Sequence, residues 1–227
     1  MNGVLLVDKA KGWTSFDVVA KTRSIIRQLT GTKVKVGHTG TLDPLATGLL
    51  VILVGSYTKK ATELSKLDKV YEVTMKLGET STTGDDEGEK TQISTHQPTP
   101  AEVQKMVEQF IGQIEQTPPV YSAIKVNGQR AYKLARQGKE VKLEPRQVTI
   151  YSLKITDYKY PIVKFTTKVS SGTYIRSLVE DIGQKLGAGA YMSDLRRTQV
   201  GDFTIKNAVE VENISAEKIS NNLIATA

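Results

Sequence analysis

The sequence predicts an α+β protein in which strands outnumber helices. Strict alternation of apolar and polar residues predicts a half-buried strand over residues 70–77, and residues 148–155 and 163–169 also have strand patterns. Apolar residues spaced three and four apart predict amphipathic helices that follow Thr14, Thr99 and Thr173. Because the strands follow one another as hairpin-like pairs, we expect helices on one side of a sheet.

Composition limits the class of protein. The 227 residues are 39% hydrophobic and 24% charged, which is typical of one large globular domain or two small ones. The formal net charge of +7 favours a polyanionic partner, although plain solubility would explain it too. The absence of cysteine excludes disulfides and thiolate chemistry and fits a reducing, cytoplasmic location. His38 and His96 are too few and too widely separated to predict a metal site.

Hydropathy argues against a membrane protein. No apolar run approaches the roughly 20 residues that cross a bilayer, and residues 1–8 lack the basic leader of a secretory signal. No obvious self-association stripe is present, which favours a monomer.

The first elements are a buried strand over residues 3–7, a turn and a helix. Thr14 or Ser15 caps the helix, and Asp17 suits its first turn. We expect its buried face to consist of Val18, Thr22, Ile25 and Leu29.

Residues 37–48, which we call the aspartate loop, form a shaped segment before a buried strand over residues 49–54. Gly37 and Gly40 allow unusual backbone angles, and Pro44 keeps Asp43 extended. A carboxylate on a stiff loop is typical of a catalytic group. Local chemistry leaves open that Asp43 only begins a turn.

Beyond this loop, residues 57–67 predict an amphipathic helix, and Tyr71 lies on the apolar face of the next strand. The pattern alone favours an ordinary core tyrosine. Residues 79–90 predict a solvated acidic loop, because their spacing does not fit a calcium-binding loop. A capped, purely structural helix follows, with its apolar stripe running from residue 103 to residue 114.

Residues 123–148, the basic insertion, form a cationic segment around a helix expected over residues 128–137. Phosphate contacts of such a segment supply affinity rather than base identity. A solvated basic face is the alternative. The seven cations are Lys125, Arg130, Lys133, Arg136, Lys139, Lys142 and Arg146.

Arg176 lies in the first turn of a helix that we expect the 170–173 segment to cap. It lies off the apolar stripe, and a cation at this end opposes the helix dipole. This placement predicts that an anion holds Arg176, although an exposed arginine without a role is possible.

Several segments resemble the TruB-type pseudouridine synthases, the tRNA pseudouridine-55 synthases. Gly-His-Thr-Gly-Thr-Leu-Asp-Pro at 37–44 is similar to the family signature, and Gly-Thr-Tyr-Ile-Arg at 172–176 and Leu-Arg-Arg-Thr at 195–198 match further blocks. At the 9–15 turn, Ala10 replaces the proline that is usual in the family. The resemblance implies the pseudouridine synthase fold, in which a mixed, mostly antiparallel central sheet is flanked by helices.

The resemblance also implies roles for individual residues. Asp43 is catalytic, Arg176 pairs with it, and Tyr71 packs against the target base and takes the final proton. Further contacts to the flipped nucleotide come from His38, Tyr174 and Leu195. The basic insertion folds over the T-arm of tRNA, where the RNA backbone meets Lys125, Arg130, Lys133 and Arg136.

We therefore expect isomerisation of U55 in the tRNA T-loop to pseudouridine, by base flipping, glycosidic cleavage and rejoining through C5. This chemistry needs no cofactor and no metal. The sequence leaves open whether Asp43 acts on C1′, C6 or C2′. Two alternatives remain: the same chemistry on another RNA, and RNA binding or folding without catalysis.

The domain expectation is a catalytic domain over residues 1–209, which contains the basic insertion, and a tail over residues 210–227. We expect this tail to be one polar helix or a frayed end. It is too short for the complete RNA-binding PUA domain that family members commonly carry.

Overall fold

The computed structural model describes residues 1–122, 124–126 and 128–225. Within these ranges the helices are α1 Ser15–Thr30, α2 Ala61–Ser65, α3 Pro100–Glu108, α4 Ala131–Arg136, α5 Ile175–Lys185 and α6 Ala216–Asn222. The strands are β1 Gly3–Lys9, β2 Val36–His38, β3 Thr47–Val54, β4 Lys69–Leu77, β5 Glu79–Ser81, β6 Lys90–Gln92, β7 Gly112–Gln116, β8 Lys125–Val126, β9 Gln129–Arg130, β10 Arg146–Lys159, β11 Ile162–Val169, β12 Ala190–Val200, β13 Phe203–Thr204 and β14 Val209–Glu210.

The chain divides into two compact units: Met1–Glu72 with Leu195–Ala227, and Val73–Asp194. In the first unit, β1 pairs antiparallel with β3 and parallel with β14, while β2 pairs antiparallel with β3. β12 runs parallel to β3. The apolar faces of these strands form a core of Val4, Leu6, Leu49, Val51, Leu53 and Val200.

The junction of β3 and β12 requires a glycine. Gly48 has φ of +101°, and a Cβ atom there would lie 2.3 Å from the carbonyl oxygen of Arg197. No side chain fits such a gap, so the two backbones meet only because residue 48 is glycine.

The second unit is built on the strand order β4, β11, β10, β7. β10 pairs antiparallel with β11 and with β7. The predicted shared face of β11 is confirmed, since Val163, Phe165, Thr167 and Val169 are buried. In β4 the predicted alternation is also confirmed, with Val73, Met75 and Leu77 buried. The α+β class with a mixed, mostly antiparallel sheet flanked by helices is therefore confirmed.

Two helix predictions in the first unit were partly wrong. Residues 57–67 form a 3₁₀ turn and the short α2 rather than one amphipathic helix. In α1 the Thr14 cap is confirmed as a capping box with Asp17. Its buried face, however, uses Ile26, and Leu29 is 45% exposed.

Three predictions in the second unit also need correction. The helix expected to reach residue 114 ends at Glu108, because residues 112–116 pair with β10 as β7. α4 begins at Ala131, because Gln129–Arg130 pair as β9 with Lys125–Val126 as β8. Ala123 and Asn127 lie outside the described residues. The 170–173 segment does not cap α5, whose N-cap is Tyr174 without a side-chain bond. The Ser170 hydroxyl instead accepts from the Thr149 amide.

The expectation of a frayed or purely polar tail was wrong. Val211, Ile214 and Ile219 are buried, and the backbone of Ile224 forms a two-bond bridge with Val4. These apolar side chains are spread over a 3₁₀ turn and α6, so no single helical period reveals them in the sequence.

Candidate active site

The aspartate loop is irregular in backbone but firmly held. The Ser15 hydroxyl donates to the Leu42 carbonyl at 2.9 Å and accepts from the Leu42 amide at 2.8 Å. The Thr39 amide donates to the Val51 carbonyl. Leu42 and Leu45 are buried, whereas Asp43 is partly exposed. The loop therefore presents one accessible carboxylate on a buried base.

Two buried cations bond to this loop from within the first unit. The ammonium of Lys9, which is fully buried, donates to the carbonyls of Ala10, Trp13 and Pro44. Burial lowers the pKa of Lys9 to about 8, although the Asp43 charge acts in the opposite direction. The guanidinium of Arg197, which is 2% exposed, donates to loop and strand carbonyls described below. Sequence reasoning assigned neither residue a role, although both lie in segments that resemble the family.

Tyr71 lies near the start of β4 and is 8% exposed. Its strand is anchored by Lys69, which donates to the carbonyls of Ser65 and Leu67 and thus caps the end of α2. Burial lowers the pKa of Lys69 to about 8. The backbone two residues before Tyr71 is therefore held in place.

β12 connects the aspartate loop to the Tyr71 strand within the first unit. Thr47, at the end of the loop, donates to the carbonyl of Leu195, and Thr198 donates to the carbonyl of Val70. Leu195 is 8% exposed, and His38, which ends β2, is partly buried. Predicted site residues His38, Asp43, Tyr71 and Leu195 thus all belong to this unit.

Arg176 belongs to the second unit and is 6% exposed, so the exposed, roleless alternative is excluded. Its guanidinium donates to the carbonyls of Tyr121 at 2.7 Å and Thr83 at 3.1 Å. It also pairs with Asp85 Oδ2 at 3.5 Å. The prediction that an anion holds Arg176 is confirmed for Asp85, while its pairing with Asp43 stays a prediction.

Asp85 corrects the view of residues 79–90 as a solvated loop. The segment contains the β5–β6 hairpin, and Asp85 is 4% exposed. Its other oxygen accepts from the Thr83 hydroxyl and the Glu87 amide. Sequence reasoning missed it because a run of acidic residues gives no sign of which carboxylate is buried.

Tyr174 is held through its backbone by Gln116, which is 2% exposed. The Gln116 amide group accepts from the Tyr174 N–H at 2.7 Å and donates to its carbonyl at 3.1 Å. This reciprocal pair fixes the start of α5, one residue before Arg176. Gln116 gives no motif signal in the sequence.

A cavity of about 380 Å³ lies in the second unit, lined in part by Thr83, Tyr121, Glu180 and Asp181. Burial raises the pKa of both acidic side chains, and Arg176 opposes this shift at Glu180. A ligand in this cavity would contact two of the residues that hold Arg176.

The basic insertion is exposed at its predicted RNA contacts. Its described fold is the β8–β9 hairpin and α4, where Arg136 lies 5.8 Å from the centre of the Tyr132 ring. All four of the predicted RNA-contacting cations are exposed, namely Lys125, Arg130, Lys133 and Arg136.

Neither a metal cluster nor a membrane span is found in the described part of the chain. No group of three or more histidine, cysteine or acidic residues there is arranged to hold a metal ion. No helix there is both long and apolar enough to cross a membrane.

The sequence matches the models of two protein families. A model described as TruB family pseudouridylate synthase (N terminal domain) matches residues 27–175. A second, described as tRNA pseudouridylate synthase B C-terminal domain, matches residues 176–224.

Relatives are similar over nearly the whole chain. A tRNA pseudouridine synthase B from Clostridium novyi is 47% identical, and the match covers 99% of this chain and 76% of that protein. A tRNA pseudouridine synthase B from Chloroherpeton thalassium is 44% identical, and the match covers 95% of this chain and 89% of that protein.

Two solved structures have a similar fold. A Cbf5-Nop10-Gar1 complex matches with a TM-score of 0.71 and 30% identity over 93% of this chain. An H/ACA RNP bound to a substrate RNA containing 2′-deoxyuridine matches with a TM-score of 0.68 and 27% identity over 93% of it. The chain spans about half the length of these solved chains, 53% and 51%.

Proposed function

The chain belongs to the TruB family of pseudouridylate synthases, and we propose that it converts U55 in the T-loop of tRNA to pseudouridine. The observation that carries the proposal is the aspartate loop. A carboxylate on a loop fastened by buried donors meets the geometric demand of catalysis, since reacting groups must be held within a fraction of an ångström. The relatives named tRNA pseudouridine synthase B support tRNA as the substrate.

The reaction breaks the N1–C1′ bond of uridine, turns the uracil and joins C5 to C1′. Asp43 acts on the flipped nucleotide as a nucleophile at C1′ or C6, or as a base at C2′. Its partial exposure supports each of these roles. The product carries one proton fewer at C5 and one more at N1, so the net change is an isomerisation.

The guanidinium of Arg176 pairs with the carboxylate of Asp43 in the working enzyme. The pair with Asp85 keeps the buried guanidinium from being an isolated charge.

The remaining site residues handle the base. Tyr71 stacks on the uracil and accepts the C5 proton at the end of the reaction. The flipped nucleotide and its neighbours are contacted by His38, Tyr174 and Leu195. Base flipping is required because a stacked nucleotide conceals its glycosidic bond.

The partner is the T-arm of tRNA, bound by the exposed cations of the basic insertion. Their exposure supports this role, since phosphate contact requires accessible charge. The enzyme acts as a monomer in the cytoplasm. Its domains are the catalytic domain over residues 1–209 and the 210–227 tail.

The test is incubation of the protein with an unmodified tRNA transcript, followed by chemical mapping of pseudouridine. We expect one modified position, U55. A matched transcript that carries cytidine at position 55 serves as the control and should give no product. Modification elsewhere, or none at all, would contradict the proposed substrate.

A second candidate is the same chemistry on another RNA. This candidate is supported by the similarity to an H/ACA RNP, which was solved bound to a substrate RNA. An isolated stem-loop unrelated to tRNA, assayed beside the tRNA transcript, separates the two. Faster modification of the unrelated stem-loop would favour this alternative.

A further inference from the structure

We propose that Arg197 is a positioning residue, which fixes the aspartate loop in the geometry that Asp43 needs for reaction. The proposal rests on the proposed function, because it assigns Arg197 a share in that reaction. It concerns residues of the first unit alone.

The guanidinium of Arg197 bonds to the interior of the loop and to the strand that follows it. Nη2 donates to the Gly40 carbonyl at 3.0 Å, and Nη1 lies 3.4 Å from the Thr41 carbonyl. Nε donates to the Leu49 carbonyl at 2.8 Å, where the loop has become strand β3. A single planar group therefore connects the residues just before Asp43 to those just after the loop.

The backbone of Arg197 is fixed against the same segment. It pairs with Gly48, where the absent side chain allows close approach of the two chains. Both the backbone and the guanidinium of Arg197 are therefore fixed relative to the loop, which restricts movement of the side chain. The bonds to Gly40 and Thr41 set the direction of two successive peptide planes, which end at Leu42, the residue before Asp43.

Lys9 is a second buried cation beside the loop. It interacts with Arg197, and Asp43 is the acidic group that interacts most strongly with Lys9. Arg197 also interacts with Lys69. The loop backbone that Arg197 holds is therefore held among buried cations.

Arg196 provides a natural control. It is the adjacent residue of β12, but its side chain is 37% exposed and pairs with Asp8 at 2.6 Å. It also lies 3.5 Å from the Thr47 hydroxyl. Within the described residues, its hydrogen bonds do not reach the carbonyls between residues 40 and 46. A change at this position removes one arginine from the same strand without releasing the loop.

The experiment compares Arg197→Lys and Arg197→Met with Arg196→Lys and Arg196→Met. The single-turnover rate of pseudouridine formation is measured with saturating protein on the tRNA transcript, and the Kd for tRNA is measured separately. We expect the Arg197→Lys rate to fall by about 10²-fold, because a shift of about 1 Å in a reacting group has this effect. The Kd of this variant for tRNA should change by less than about threefold, because the contacts that bind the substrate before reaction are kept.

The comparison separates positioning from general destabilisation. Lysine keeps the charge but lacks the fork that reaches three carbonyls, so Arg197→Lys should recover only part of the rate lost in Arg197→Met. Both Arg196 variants should keep the wild-type rate within about threefold. Circular dichroism at the assay temperature reports whether each variant is folded. A folded Arg197→Lys variant with the wild-type rate would overturn the proposal, as would equal losses in the Arg196 and Arg197 variants.

Hydrogen exchange provides a readout that is independent of activity. The amides of Thr39, Leu42 and Ala46 should exchange slowly in the wild type and faster in Arg197→Lys. If neither Arg197 variant folds, the wild type decides: loop amides that exchange as fast as those of the β8–β9 hairpin overturn the proposal, and slow exchange supports it. If the wild type modifies no tRNA, the proposed function fails, and the exchange comparison still tests whether Arg197 holds the aspartate loop.

Discussion

The aspartate loop and the basic insertion both depend on cations, but they use them in opposite ways. Around the loop, Lys9 and Arg197 are buried and donate to backbone carbonyls. In the insertion, Arg130, Lys133 and Arg136 are exposed. Burial therefore separates cations that hold the aspartate loop from cations that are accessible to a polyanion.

The two regions also differ in how their backbones are held. The loop is tied to α1, β3 and β12 through side chains distant in sequence. The described backbone bonds of the insertion are mostly local, as in Ala131 to Ile124 and Tyr132 to Ser122. A rigid segment suits bond making, and an adaptable one suits a large flexible partner. Changes to the fixed region should therefore alter rate, and changes to the insertion should alter affinity.

Apart from loss of the Asp43 carboxylate, the largest effect is expected at Tyr71. Tyr71→Phe keeps the ring that we propose to stack on the base but removes the hydroxyl that we propose as the acceptor of the C5 proton. We expect the single-turnover rate to fall by about 10²-fold or more, as for loss of a general base. The Kd for tRNA should stay within about threefold.

Tyr57→Phe, at a tyrosine packed against the core of the first unit, is the control. It should keep the wild-type rate. A Tyr71→Phe variant that is as fast as wild type would remove the hydroxyl from the reaction and leave only stacking.

The next effect tests the buried pair in the second unit. Asp85→Asn leaves the Arg176 guanidinium without this carboxylate, and breaking a buried pair costs about 3–5 kcal/mol. We expect a loss of at least about 2 kcal/mol in the free energy of unfolding, measured by urea denaturation, because the amide keeps some hydrogen bonds.

The neighbouring Asp86 is the matched control. It pairs with Lys90 and its side chain is 46% exposed. Asp86→Asn should therefore change the free energy of unfolding by less than about 1 kcal/mol. Similar losses for the two variants would mean that the burial of Asp85 contributes nothing to stability.

A smaller effect is expected in the insertion. Each of Arg130→Ala, Lys133→Ala and Arg136→Ala removes one exposed cation. We expect each to weaken tRNA binding by a few-fold to about tenfold and to reduce the slope of log Kd against log salt by about 1. Equilibrium binding over a salt series measures both.

The single-turnover rate at saturating protein should remain unchanged in these variants. A change in this rate without a change in the salt slope would place the residue in catalysis and would break the contrast between the two regions.

The smallest effect concerns the pH dependence of stability. Burial lowers the pKa of Lys9 to about 8, so between about pH 8 and pH 10 the unfolded chain binds more protons at this residue than the folded chain does. The contribution of Lys9 to stability should therefore rise with pH in this window. The measured quantity is the free energy of unfolding of wild type minus that of Lys9→Met.

Burial also lowers the pKa of Lys69. Its contribution is present in both wild type and Lys9→Met, so it cancels in the difference between their free energies of unfolding. The difference should increase from pH 8 to pH 10. A flat difference for Lys9 would mean that its ammonium titrates normally.

The sequence predicted what depends on local pattern. The alternation of β4 and the shared face of β11 are local, and both were confirmed. Contacts distant in sequence left no such pattern. Ile114 follows an apolar helical stripe but pairs with Val148, 34 residues later, and this pairing overrides the helical period.

The site divides in the same way. The aspartate loop could be identified because its chemistry lies in one contiguous segment. Asp85 and Gln116 could not, because their partners Arg176 and Tyr174 lie elsewhere in the chain and burial depends on those partners. The expected fixing of Asp43 came from Pro44 and the glycines, whereas the structure adds Ser15 and buried cations.

The most direct measurement compares wild type with Asp43→Asn in a single-turnover assay on the unmodified tRNA transcript. The amide keeps the size of the side chain but removes its negative charge and nucleophilicity. We expect pseudouridine formation to fall by at least about 10³-fold, as for loss of a catalytic group that acts as part of a unit, while the Kd for tRNA stays within about threefold. Turnover by a folded Asp43→Asn variant at a rate close to that of wild type would contradict the account, because the chemistry would then need another group.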